Sequence, residues 1–171
     1  MQNQTAAIHA GYDNSQGHGT MSVPISQTTA YAFRDSEHAA NLFALKELGP
    51  IYTRLTNPTT DVLEQRFAAL EGGAGAICCA SGQAAIFYAV ANVAVAGDNI
   101  LISDKLYGGA VTLLTHTIKR FGIEAKIFNS SDASNLEEQI DDKTRAIFFE
   151  SLSNPQIAVA DTEKIAQIGK R

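Results

Sequence analysis

The chain has 171 residues, 45% of them apolar and 18% charged, with a net charge of −5. That is long and apolar enough to bury a core, and the acidic balance supplies no basic face for a nucleic acid backbone or an anionic membrane surface. No run approaches the roughly 18 consecutive apolar residues of a membrane span, and the first residues, Met1 to Gly11, lack a basic region followed by an apolar one, so a cytoplasmic protein is the default expectation.

Met1 to Ala32 is rich in Gln, Ser, Thr, Gly and His without a sustained period, which predicts an extended arm rather than a packed element. Ala39, Leu42, Phe43 and Leu48 recur at near-helical spacing, so a helix is expected over Arg34 to Leu48, ended by Gly49-Pro50. After Ile51 to Thr56, Asn57 caps and Pro58 opens a second helix with an apolar stripe of Leu63, Phe67 and Leu70, stopped by Gly72-Gly73. A buried strand, Ala76 to Ala80, then leads through Ser81-Gly82 into a helix over Ala84 to Ala96. Cys78 and Cys79 lie in that strand and are expected to be buried thiols pointing to opposite faces.

The unit then repeats in kind. Strand Asn99 to Ser103 meets the turn Tyr107-Gly108-Gly109, followed by a helix over Val111 to Phe121 and a strand over Ile123 to Phe128. Ser134 and Glu137 form a capping-box pattern for a short helix ending near Ile140. Strand Ala146 to Phe149 follows, and a last helix begins near Asp161 and continues to the final residues without a stop signal. Strands alternating with helices across short turns predict an α/β fold, a doubly wound parallel sheet with helices on both faces. Ligands of such sheets bind at the carboxyl ends of strands, so the turns that follow the strands are where chemistry is expected.

Ser81-Gly82-Gln83 places free backbone N–H groups and the positive end of a helix dipole where a phosphate can bind, although a small residue in such a turn equally serves packing. Tyr107 either offers its ring to a planar ligand or covers the sheet edge. Asn154, before Pro155, either reaches a ligand or makes a local Asx turn. Tyr52 and Arg54 share one face if their segment is extended, which suits a phosphate as well as an exposed surface pair. His9, His18, His38 and His116 have no metal-like spacing with cysteine or carboxylate.

Taken together and in order, Tyr52-Thr53-Arg54 before Asn57-Pro58-Thr59, Ser81-Gly82-Gln83-Ala84-Ala85, Tyr107-Gly108-Gly109 and Glu150 through Pro155 resemble the pyridoxal-phosphate enzymes of cysteine and methionine metabolism. The resemblance runs from about Thr5 to the end of the chain. Ala7 to Tyr12, Pro24 to Thr29, Leu45 to Gly49 and the glutamine at Gln83 are similar to the sulfhydrylase branch of that family. It implies an intersubunit arm and helix over 1–50 and, over 51–171, the first part of the mainly parallel sheet of a fold-type I, aspartate aminotransferase-like large domain.

The resemblance further implies pyridoxal 5'-phosphate as cofactor. Ser81, Gly82 and Gln83 would hold its phosphate, Tyr107 would stack on its ring, and Asn154 would contact the ring hydroxyl. Tyr52 and Arg54 would reach the phosphate of a neighbouring subunit, giving shared sites in a homo-oligomer, expected to be a tetramer, with Tyr107 and Tyr52 as catalytic residues. The implied reaction of a complete enzyme takes O-acetylhomoserine and sulfide, or a thiol, to homocysteine and acetate in methionine biosynthesis. Methionine gamma-lyase and cystathionine gamma-synthase activities of the same family are the alternatives, and a noncatalytic fragment assembling with full-length subunits is another. None of Lys46, Lys105, Lys119, Lys126, Lys143, Lys164 or Lys170 matches the family's cofactor lysine, so the chain is expected to be an inactive piece of a longer polypeptide.

Overall fold

The computed structural model describes residues 2–15 and 17–170. They form two compact units, one ending at Cys78 and the other beginning at Cys79.

The first unit contains α1 (Asn3–His9), α2 (Ser36–Phe43) and α3 (Pro58–Glu71). The helix α1 corrects the expectation of an extended arm with no packed element. Its Ala6 is buried, and the chain leaving it is tied to α3 where the Arg66 Nε donates to the Ala10 carbonyl at 2.8 Å. Gly11 has φ +80, and a Cβ there would lie 2.6 Å from the Val62 carbonyl oxygen, so this approach requires glycine. The capping expected for α3 is present: Asn57 accepts from the Thr59 N–H, Pro58 fills the first turn, and Gly72 ends the helix in the left-handed region. The apolar stripe of α3 is not buried within this unit, however, and Leu63 and Phe67 are exposed. The helix α2 is shorter than expected, because Leu45 takes a positive φ of 55 and turns the chain before Leu48.

The second unit is a three-layer sandwich. Its parallel strands β1 (Asn99–Ser103), β2 (Glu124–Phe128) and β3 (Thr144–Phe148) lie in the order β2-β1-β3. Alternation along the central strand feeds two cores. Ile100 and Ile102 pack with Val90 and Ala94 at the end of α4 (Gly82–Val93) and with Ala110 of α5 (Gly108–Thr112). Leu101 faces the other way, against Phe128, Leu136 and the Ile165 and Ile168 of α6 (Thr162–Gly169). Each such fully buried aliphatic side chain stabilises the fold by about 1.5–3 kcal/mol relative to exposure.

Three expectations for this half are corrected. Residues 74–80 lie along the chain without joining the sheet, because a strand needs a ladder partner and none of the described residues supplies one. Ile77 is accordingly 85% exposed, and Cys78 and Cys79 are unbridged and only half-buried. The helix expected over Val111 to Phe121 starts earlier, in α5, and continues as a π stretch, Leu113–Thr117, and a 3-10 turn, Ile118–Phe121. In the π stretch the Thr115 hydroxyl donates to the Val111 carbonyl, a local bond that competes with regular helix pairing. Between β2 and β3 the expected capped helix is reduced to a 3-10 turn, Glu137–Gln139, with no side-chain cap at Leu136.

Candidate functional site at the carboxyl ends of the strands

The winding of the second unit fixes where a crevice opens. From β1 the chain runs to β2 over the Ile100 and Ile102 face, and it returns past β1 to β3 over the opposite face, through Ala133 and Leu136. Connections that leave neighbouring strands in opposite directions leave a gap between their carboxyl ends, here those of β1 and β3. The segments that follow these two strands carry Tyr107 and Asn154.

One side chain spans the gap. The Glu150 carboxylate, just past β3, accepts from the Tyr107 N–H through Oε1 at 3.0 Å and from the Asn154 N–H through Oε2 at 3.2 Å. Sequence reasoning gave Glu150 no role of its own; the available signal was a carboxylate four residues before Asn154 at a strand end. Tyr107 precedes α5 and is 49% exposed. A Cβ on Gly109 would come within 2.5 Å of the Tyr107 Cε1, so glycine there leaves room for the ring's position. Asn154 lies in a tight loop closed by a Leu152–Val159 bridge and by the Ser153 hydroxyl, which accepts from the Ala158 N–H. The Asn154–Pro155 peptide bond inside that loop is cis. Among the described residues the Asn154 side chain makes no hydrogen bond.

The N-terminus of α4 belongs to the same end of the sheet. Val90 and Ala94, at the far end of the helix, pack with Ile100 and Ile123 near the starts of β1 and β2, so α4 runs against the strands. Ser81 caps it by accepting from the Ala84 N–H at 3.1 Å, while among the described residues the Gly82 and Gln83 N–H groups have no acceptor, the usual condition of a helix's first turn. A Cβ at Gly82 would meet nothing within 4 Å, so the backbone there faces open space.

Tyr52 and Arg54 belong to the first unit and are described within it. Their segment is a turn, not the extended run in which they would share a face: the Leu55 and Thr56 N–H groups both donate to the Tyr52 carbonyl. The turn nevertheless gathers them, with the Arg54 guanidinium 5.5 Å from the Tyr52 ring centroid. The buried Asn57 supports this turn. Its Nδ2 donates to the Ser26 carbonyl and to the Thr53 hydroxyl, which in turn donates to the Thr28 carbonyl.

A family model described as Cys/Met metabolism PLP-dependent enzyme matches residues 4–171. The chain belongs to this family. A sulfhydrylase of Fusarium oxysporum f. sp. lycopersici is 50% identical over 165 residues, which cover 96% of this chain and 38% of that protein. An O-acetyl-L-homoserine sulfhydrylase of Leptospira meyeri is 45% identical over 167 residues, 98% of this chain and 38% of its own length. Among solved structures, one described as an O-acetylhomoserine (thiol)-lyase of Campylobacter jejuni aligns with a TM-score of 0.93 at 55% identity, over 99% of this chain and 42% of its own. That crystal structure contains a pyridoxyl-lysine phosphate residue. The present chain thus spans well under half the length of these relatives.

The residues present fit the family's cofactor. A phosphate suits the two donors and the open space at Gly82, and a planar ring suits the exposed face of Tyr107. Several lysines are engaged elsewhere: Lys126 with Asp141 at 2.6 Å, Lys164 with the Asp132 carbonyl at 2.7 Å, and Lys105 with the Ser131 hydroxyl. Among the described residues no group of three or more His, Cys, Asp or Glu side chains is arranged to hold a metal, and no helix is long and apolar enough to cross a membrane.

Proposed function

We propose that this chain is the cofactor-holding front of an enzyme that takes O-acetylhomoserine and sulfide to homocysteine and acetate. The observation that carries the reading is the pairing of an open, donor-rich α4 N-terminus with Tyr107 and Asn154 at the β1–β3 gap. The identities to sulfhydrylases across almost the whole chain support the choice of reaction.

In this reading the Gly82 and Gln83 N–H groups bind the phosphate, aided by the dipole of the 12-residue α4 and by the Ser81 cap that fixes its first turn. The Tyr107 ring stacks on one face of pyridoxal phosphate and excludes water from it, and the Asn154 amide orients its hydroxyl. Pyridoxal phosphate supplies the electron sink that makes the bonds of the amino-acid substrate labile. The phenol Oη atoms of Tyr107 and Tyr52 are the groups of this chain able to hold or move a proton at the substrate. Tyr52 and Arg54 serve a neighbouring subunit, with residues 1–50 lying between subunits of a homotetramer, and the lysine that holds the cofactor comes from a longer polypeptide.

Assaying that longer polypeptide with O-acetylhomoserine and sulfide tests the reading, with homocysteine and acetate expected in equal amounts. Release of a keto acid from methionine or cystathionine, with no homocysteine formed from sulfide, would assign the site to a lyase instead.

A further inference from the structure

We infer that Glu150 is a positioning residue: its carboxylate ties the Tyr107 and Asn154 loops together and so sets the spacing between the ring that stacks on the cofactor and the amide that orients it. The inference rests on the proposed cofactor reading, but its geometric part stands apart from it. Tyr107 and Asn154 are 47 positions apart in sequence and follow different strands, and the sheet ends before either of them. Beyond β1 and β3 no ladder holds the two segments in register, and each has an N–H group left over at the point where it turns.

A carboxylate has two oxygens and can accept from both N–H groups at once, whereas a hydroxyl or an amide cannot satisfy both in this geometry. Glu150 is half-buried, and its two bonds use one oxygen each. Among the described residues its hydrogen bonds go to the Tyr107 and Asn154 segments and none goes to the α4 N-terminus, where the phosphate would sit, so its effect is expected at the ring end of the cofactor. Charge-assisted bonds of this kind to backbone N–H groups are stronger than neutral ones.

Two variants of the longer polypeptide test the proposal, Glu150→Ala and Glu150→Gln, with amide hydrogen exchange and titration of the cofactor-free protein by pyridoxal 5'-phosphate as readouts. Glu150→Ala is expected to speed exchange at the Tyr107 and Asn154 amides while leaving exchange at Gly82 and Gln83 unchanged. Its affinity for pyridoxal 5'-phosphate should fall by about tenfold, the loss of one to two charge-assisted bonds' worth of ordering, and the absorbance shift caused by stacking on Tyr107 should shrink. Glu150→Gln keeps one acceptor of the same shape and should restore part of both effects.

Unchanged exchange at both amides in both variants would overturn the tie itself. Faster exchange with unaltered affinity and spectrum would overturn the positioning role. A wild-type longer polypeptide that shows no binding of pyridoxal 5'-phosphate would overturn the cofactor reading, while the exchange data would still decide whether Glu150 holds the loops.

Discussion

The two ends of the three-stranded sheet are built on opposite plans. At the amino end the polar groups close on one another. Asn99 donates to Asp141 at 2.8 Å and accepts from the Thr144 hydroxyl, Lys126 pairs with Asp141, and Arg145 pairs with Asp98 at 3.0 Å. Asp98 also accepts from the Val95 N–H, which fixes the turn between α4 and β1. At the carboxyl end the β1–β2 side is closed in the same manner, by Asp104 accepting from the Ser130 N–H and hydroxyl. The β1–β3 side is tied instead by the Glu150 carboxylate accepting from two backbone N–H groups, and among the described residues the side chains of Tyr107 and Asn154 make no hydrogen bond. One end uses its polar groups to hold strands together; the other leaves them available, which is what the proposed cofactor reading requires.

If that division is correct, disturbing the amino end should cost stability and spare cofactor binding. Asn99 is buried and touches all three strand starts through its partners, so Asn99→Ala is expected to lower the unfolding free energy by about 2 kcal/mol, measured by urea denaturation. In the longer polypeptide its affinity for pyridoxal 5'-phosphate should match that of the unaltered protein; a loss there would break the comparison.

The converse experiment is Gly109→Ala. The added methyl displaces the Tyr107 ring, a movable side chain, while the helical position itself prefers alanine. Unfolding free energy should change by less than about 1 kcal/mol, while the affinity for pyridoxal 5'-phosphate, read by absorbance titration, falls by about tenfold.

A smaller effect sharpens the picture through pH. The Lys126 ammonium, and after it the Asn99 amide, hold the exposed Asp141 carboxyl well below its ordinary value of 3.8. The folded chain therefore binds that proton less readily than the unfolded one. The stabilisation is complete above the unfolded value and is lost as pH falls below about 4 towards the folded value. Asp141→Asn should flatten this acid limb of the melting temperature by lowering its plateau at pH 5 to 7 towards the acid value, as thermal scans from pH 7 downward would record.

How much of this was legible beforehand depended on how local the cause was. The helix α3 could be placed from Asn57, Pro58 and Gly72 because its caps lie within the element, and β1 from five consecutive residues that are all buried. The helix α1 escaped notice since only Ala6 is buried and its anchor is Arg66, far along the chain. Residues 74–80 have the composition of a strand, but a strand is a relation between segments, and the described residues hold no second half of that relation. The turns bearing Gly82, Tyr107 and Asn154 could be named because strand ends are where such sheets bind ligands. What joins two of them could not, because Glu150 acts on N–H groups that every residue except proline carries.

That last point has a bearing on how such a site can change over time. Glu150 grips main chain, so the residues at positions 107 and 154 can be exchanged without loosening it, whereas an insertion or deletion in either loop shifts the groups it grips. The frame is conserved by length and the chemistry is carried by identity, and mutation can reach the second without passing through the first.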